Sequence, residues 1–342
     1  MVTVALAYNL IHPEMIGAGP LDALAEYDSE DTIAALRTAL EAGGHEVALL
    51  EADETFMERL HTLRPDIVFN IAEGLRGESR ESHVPAICEM LGIPYTGSDP
   101  LTLALCLNKA RAKQILLQEG IATPRFRVAE SSKGDLQGDL RFPLIVKLLH
   151  EGSSMGLTRE SVVDDNTTLQ RQVYRLLKTY HEPVLIEEFI EGREFTIGLL
   201  GNESPQVLPI VELVFSEPRG IVLFEVDEAV IPLVEQQGVD KTQLVQSKHR
   251  AVCPAEINPV LQAQLEETAV RAFRALGCRD WCRLEIRQGP DGELYVLELN
   301  PIAGIDPSYW LPRAAQTAGL SYSNFVNTIL THALTRNGHD FE

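Results

Sequence analysis

Cationic side chains are scarce in this chain: 29 lysines and arginines stand against 50 aspartates and glutamates, a formal charge of -21 over 342 residues. That deficit excludes a general nucleic-acid or membrane-surface binder, because such proteins displace counterions with clustered cations. Any anionic ligand must meet a local basic pocket. Cysteine is scarce as well. Cys88, Cys106, Cys253, Cys278 and Cys282 form no C-x-x-C pair and are odd in number, so reduced, mostly buried thiols are expected. Cys278 and Cys282 as zinc ligands would lack a second pair, and a core position suits their surroundings better. No uninterrupted apolar run approaches membrane-spanning length. Met1-Val2-Thr3-Val4-Ala5-Leu6 has no charged leader and reads as a strand rather than a signal peptide, so a cytoplasmic location is expected.

What is present is apolar enough, at 45% hydrophobic residues, for a large core and two or three domains. The first hundred residues alternate: strand Val2 to Ala7, helix Glu30 to Ala42, strand Glu46 to Leu50, helix Glu54 to Leu63, strand Asp66 to Asn70. This βαβαβ order predicts a parallel sheet with right-handed crossovers and ligands at the carboxyl ends of its strands. The loops there, Tyr8 to Gly19 and Ile71 to Glu81, are candidate pocket walls. A second unit begins where Asn108 can cap a helix from Lys109 to Glu119 that stops at Gly120. The boundaries expected are 1–107, 108–193 and 194–342.

Charges inside strand-like segments mark the chemistry. Cys282-Arg283-Leu284-Glu285-Ile286 and Tyr295-Val296-Leu297-Glu298-Leu299-Asn300 flank the turn Gly289-Pro290-Asp291-Gly292. Under a regular hairpin register Arg283, Glu285, Glu298 and Asn300 converge on one face. Oxygen donors without a His or Cys pair suit a hard ion, Mg²⁺ or Mn²⁺; a solvated face with ordinary salt bridges is the alternative. Lys147 lies within the apolar strand Leu144 to Leu149, where a lysine must reach water or an anion. The loop Glu151-Gly152-Ser153-Ser154-Met155-Gly156 follows, able to offer amides and hydroxyls to phosphate, or simply to turn the chain at the surface. Lys109, at the start of its helix, is either another phosphate contact or an exposed lysine. Val184 to Thr196 runs from an apolar strand into Glu187-Glu188-Phe189-Ile190 and on to Glu194, as a hinge gripping an adenosine edge would, or as a plain connection between domains.

Taken in order, Pro94-Tyr95-Thr96-Gly97-Ser98, Asn108-Lys109, Ile145-Val146-Lys147, the Ser/Gly loop, Leu185-Ile186-Glu187, Glu194-Phe195-Thr196 and Leu297-Glu298-Leu299-Asn300 resemble an ATP-grasp carboxylate-amine ligase, most closely the D-alanine-D-alanine ligase family. The resemblance spans nearly the whole chain. It implies an ATP-grasp architecture of mixed α/β and α+β class: an N-terminal doubly wound parallel sheet, a small central α+β subdomain and a larger C-terminal α+β domain. It further implies that Lys109 and Lys147 contact ATP phosphates and that Ser153 and Ser154 fold over them, Ser153 counting with Arg283 among the catalytic groups. Glu187, Glu188, Phe189 and Ile190 would present the adenine edge, and Glu194 would bind ribose. Glu285, Glu298 and Asn300 would hold two Mg²⁺ ions, and Arg283 would stabilise the oxyanion of a tetrahedral intermediate. The implied reaction passes the γ-phosphate of ATP to a carboxylate, giving an acylphosphate that an amine attacks. Amino-acid substrates and a homodimer are implied with it.

The match departs from the family at the substrate end. The family's Gly-Gly-x-Ser-x-Glu turn after the first strand is replaced by Tyr8-Asn9-Leu10-Ile11-His12-Pro13, leaving Glu26 or Glu30 as candidates to hold a substrate amino group. The family's His-Gly pair reads Glu73-Gly74, and Arg76 and Arg80 enter the same loop, either to select a substrate with an extra carboxylate or as salt bridges. The lid stretch reads Phe224-Glu225-Val226-Asp227-Glu228 without the family's lysine, with Lys241 or Lys248 as replacements. Gly304 and Tyr309 are candidate substrate contacts, Tyr309 standing where the family commonly has a serine. The expected activity is therefore D-alanine-D-alanine ligase-like, with a related amino-acid ligase as the alternative. An ATP-grasp carboxylase or acyl-CoA ligase lacks its carrier machinery here. A non-catalytic ATP-binding sensor would have no use for Arg283.

Overall fold

The computed structural model describes residues 1–12, 15, 20–217, 219–224 and 249–338. The expected Glu225 to Glu228 stretch, Lys241, Lys248 and half of the Tyr8 to Gly19 loop lie outside these residues.

Strands β1 (Thr3–Tyr8), β2 (Glu46–Glu51) and β3 (Ile67–Asn70) form a parallel sheet in the order β2-β1-β3. Side-chain alternation gives this sheet two apolar faces. Val4 and Leu6 pack with Leu36 and Leu40 of helix α1 (Glu30–Ala42), whereas Ala5 and Ala7 pack with Phe56 and Leu60 of α2 (Phe56–Leu63) and Val84 of α3 (His83–Leu91). The sheet is thus wound on both sides, as its βαβαβ pattern predicts. Its α1 side is completed by the last helix, Tyr322–Arg336, which inserts Phe325, Val326, Ile329 and Leu330 into the same core.

After α4 (Pro100–Leu107), the Asn108 side chain accepts from the Arg111 amide at 3.0 Å and caps α5 (Lys109–Gln118). Gly120, at φ +65°, lets the chain leave the helix. An antiparallel sheet follows in the order β4 (Phe126–Ala129), β7 (Val184–Glu188), β5 (Leu144–Leu148), β6 (Val162–Val163). Helix α6 (Asn166–Tyr180) covers it through Leu169, Val173 and Leu176.

The third sheet runs β11 (His249–Val252), β10 (Val211–Phe215), β8 (Arg193–Leu200), β12 (Trp281–Gln288), β13 (Leu294–Asn300), with β9 (Gln206–Val207) paired to β8. Phe195, Ile197 and Leu199 of β8 and Cys282, Leu284 and Ile286 of β12 bury one face against Leu265, Ala269 and Phe273 of the helix Pro259–Ala275. Period-two alternation then sends Glu194, Thr196, Arg283, Glu285 and Arg287 to the other face. The hairpin register differs from a regular ladder at one place. Glu285 pairs with Glu298, but Ile286 pairs with Val296, so Leu297 is an extra residue in a β-bulge. Without the bulge Val296 and Glu298 would share a face. With it, Val296 enters the core while Glu298 joins Arg283 and Glu285.

The sheets are locked together by buried polar contacts. Asp280, fully buried, accepts from the Gly97 amide at 2.7 Å and from Arg336 at 3.0 Å. Thr123 donates to the Val296 carbonyl at 2.7 Å.

Candidate active site

The charged face of the β12-β13 hairpin is assembled as its spacing predicts. Arg283 Nε donates to Glu285 Oε1 at 2.7 Å, and Asn300 Nδ2 donates to Glu285 Oε2 at 2.9 Å. Arg283 also lies over the Trp310 ring, 5.5 Å from its centroid. Lys109 Nζ approaches Glu298 Oε2 at 3.8 Å and donates to the Glu151 carbonyl. Burial pushes the Glu285 carboxyl up, Arg283 opposes this, and Glu298 adds to it. Burial acts the same way on Glu298, but Lys109, Lys147 and Arg283 outweigh it and hold that carboxyl below its ordinary value.

Lys147 is buried on β5 and makes a 2.7 Å ion pair with Glu187 Oε1. A residue the sequence reading passed over completes the arrangement: Lys113, 1% exposed, lies 2.9 Å from the other Glu187 oxygen and donates to Thr123 at 2.7 Å. Burial alone would raise the Glu187 carboxyl, yet the two lysines hold it at about 2. Burial pushes Lys113 down to about 8. Lys113 follows Lys109 by one helical turn, and that i, i+4 spacing was the available signal.

The hinge expected at the adenine edge has its acidic side chains engaged within the protein. Glu187 is turned inward between the lysines, and Glu188 accepts from the Arg141 amide at 2.9 Å, so neither side chain offers itself to a ligand. Ile190 gives its carbonyl to Arg287 at 3.0 Å. Phe189 does line a cavity of about 400 Å³, with Gly192, Phe215 and Arg287. Glu194 pairs with Arg287 Nε at 2.6 Å, and the Arg287 guanidinium lies 4.5 Å from the Phe189 ring centroid. Arg287 was also missed, although it falls two residues beyond Glu285 on the same strand face.

The Ser/Gly loop is tied to the N-terminal unit. The Gly152 amide donates to Glu26 Oε1 and the Gly156 amide to Asp22 Oδ2, both at 2.8 Å. Ser153 and Ser154 take left-handed backbone conformations, φ +46° and +60°, which turn the loop sharply. Ser153 lines a second cavity together with Lys109, Arg283, Glu298, Asn300, Gly304 and Tyr309, so seven residues expected from different parts of the chain meet there. Ser154 is not among its walls.

Of the two readings for Arg76 and Arg80, the structure shows salt bridges. Arg76 is exposed and pairs with Glu54 at 3.2 Å; with its side chain 82% accessible, it does not reach the cavity. Arg80 is buried, but its guanidinium binds Glu26 and also Glu151 at 2.7 Å, leaving it committed within the protein. Glu26 lines the cavity with both oxygens engaged, one by Arg80 and one by Gly152. Glu30 is exposed at the start of α1, away from the cavity walls.

A divalent ion fits the hairpin face by its donor set. Glu285 and Glu298 sit opposite each other on adjoining strands, Glu298 raises the Glu285 pKa, and an ion between them would relieve that repulsion. Asn300, which turns its amide nitrogen to Glu285, needs only an amide flip to present oxygen instead. Among the described residues no group of three or more His, Cys, Asp or Glu side chains is placed to hold a metal. Cys278 and Cys282 are core residues, as expected.

The family model described as the D-ala D-ala ligase C-terminus matches residues 119–331. This chain belongs to the D-alanine-D-alanine ligase family. A D-alanine-D-alanine ligase of Bordetella petrii is 32% identical over 86% of this chain and 84% of its own length. An uncharacterised protein, y4sG, of Sinorhizobium fredii is 37% identical over 87% of this chain and 86% of its own. The fold agrees with the crystal structure of a Bacillus anthracis D-alanine-D-alanine ligase complexed with ATP, at a TM-score of 0.71 and 22% identity over 98% of each chain. The architecture is ATP-grasp, as the motif order implies. No described helix is long and apolar enough to cross a membrane.

Proposed function

We infer that this chain is an ATP-dependent carboxylate-amine ligase that joins amino acids and forms ADP and phosphate. The observation that carries the reading is the joint placement of Arg283, Glu285, Glu298 and Asn300 on one face with Lys109 reaching Glu298. In this reading Lys109 and Lys147 hold the phosphates, and Ser153 caps them from the loop. Glu285, Glu298 and Asn300 hold Mg²⁺, which when bound neutralises phosphate charge. Arg283, kept cationic by Glu285, is aimed where an oxyanion would develop. Phe189 and the Glu194-Arg287 pair shape the nucleoside end. Unit 1–107 contributes substrate contacts, 108–193 phosphate and nucleoside contacts, and 194–342 the metal contacts and the Glu194-Arg287 pair, and the working form is a cytoplasmic homodimer. D-alanine-D-alanine formation is the reference reaction, because the Bordetella petrii relative carries that name. The test is phosphate release from MgATP across single and paired amino acids. ADP, phosphate and a peptide product support the reading; AMP with pyrophosphate, or ATP binding without turnover, overturns it.

A further inference from the structure

We propose that one amino-acid substrate of this ligase carries a positively charged side chain, received by Glu81, Glu73 and Asp28 in the cavity beside Arg283. The inference rests on the ligase reading above and names its substrate class. Among the described residues lining that cavity, five carboxylates, Glu26, Asp28, Glu73, Glu81 and Glu298, stand against two cations, Lys109 and Arg283. Both cations are already engaged: Arg283 with Glu285, Lys109 with Glu298. Glu26 is neutralised by Arg80. Asp28, Glu73 and Glu81 remain, and among the described residues none has a hydrogen bond or ion pair to its carboxyl group.

Glu81 is the decisive member. It is 7% exposed, follows Arg80 in the chain, and lines the cavity while Arg80 turns to Glu26 and Glu151. A buried carboxyl aimed into a cavity without a partner is costly unless a ligand supplies the partner. The three acids belong to the N-terminal unit and are not among the hairpin residues, Glu285, Glu298 and Asn300, that would hold an ion. Alanine offers one ammonium only. A side-chain amine or guanidinium offers the second cation that this wall is built to take. The same charge balance turns the cavity against an acidic substrate, because the arginine that would have met a carboxylate is already paired and Arg76 lies outside.

The experiment measures MgATP-dependent ADP and phosphate release with lysine, ornithine and arginine, with norleucine as the uncharged analogue of matching length, and with glutamate, each as both enantiomers and paired with alanine. At least a tenfold higher kcat/KM for a basic amino acid than for norleucine is expected. Glu81→Gln and, separately, Glu73→Gln should lower that basic-to-neutral ratio at least fivefold, with circular dichroism confirming the fold. Turnover that favours norleucine, alanine or glutamate overturns this proposal and leaves the ligase reading intact. A ratio unchanged in both variants also overturns it. No ADP formation with any pair overturns the ligase reading and this one together.

Discussion

Lys113 Nζ lies 2.9 Å from Glu187 Oε2, and both side chains are almost wholly enclosed, at 1% and 2% exposure. Removing one member of such a set leaves a charge buried without its partner, which costs about 3–5 kcal/mol. Glu187→Gln should therefore lower the urea midpoint strongly, and Lys113→Met less, because Lys147 still pairs with Glu187. Equal losses in the two variants would show that Lys113 carries as much of the balance as Lys147.

The same carboxyl predicts a pH dependence. Its pKa is about 2 in the folded protein, below the ordinary glutamate value of 4.5. Its ionisation thus stabilises the fold fully above about 4.5, and that contribution disappears as pH falls toward 2. The stability gap between the natural protein and Glu187→Gln should narrow over this window, read by urea titration at successive pH values. A gap that stays constant down to the lowest accessible pH would contradict the assignment.

Glu298→Gln should abolish phosphate release while leaving the circular dichroism spectrum intact, because the carboxylate faces the ligand side rather than the core. Arg283→Lys should lower kcat by about 10²–10³, the usual cost of losing an oriented donor to a developing oxyanion. Near-normal turnover in either variant removes that residue from the reactive face.

Gly198→Ala tests the support beneath Arg283, its cross-strand neighbour. A methyl group there would fall 2.2 Å from Leu311 Cδ1 and 3.1 Å from Leu208 Cδ1. Overpacking of this kind costs about 1–3 kcal/mol. A lower melting temperature is expected, with kcat falling as the Trp310 helix is displaced from Arg283.

Arg76→Ala is expected to change little. An exposed pair with Glu54 contributes about 0–1 kcal/mol, and the side chain does not face the cavity. Activity should stay within about twofold and the urea midpoint should barely move; a large loss of kcat/KM would return Arg76 to the substrate site.

The frame of the molecule was legible because its strands and helices are strongly periodic. Helix Glu30–Ala42 falls on its expected residues, and Asn108 caps as its side chain allows. The reactive face was legible for the same reason, since alternation alone groups Arg283 with Glu285. What escaped were relations set by tertiary packing. Nothing local announces that Glu187 turns inward, that Arg80 spends its charge on Glu26 and Glu151, or that Leu297 bulges to send its neighbours to opposite faces. The Lys109 to Lys113 spacing was visible, but its partner stands on a strand 74 positions away from Lys113 in the sequence.

The last helix inserts Phe325, Val326, Ile329 and Leu330 into the core that begins with Val4 and Leu6. During synthesis the α1 flank of the opening sheet therefore keeps only part of its cover until residues 322–336 have been made. Removing the helix Tyr322–Arg336 would strip the N-terminal layer, some three hundred positions earlier, of that share of its cover.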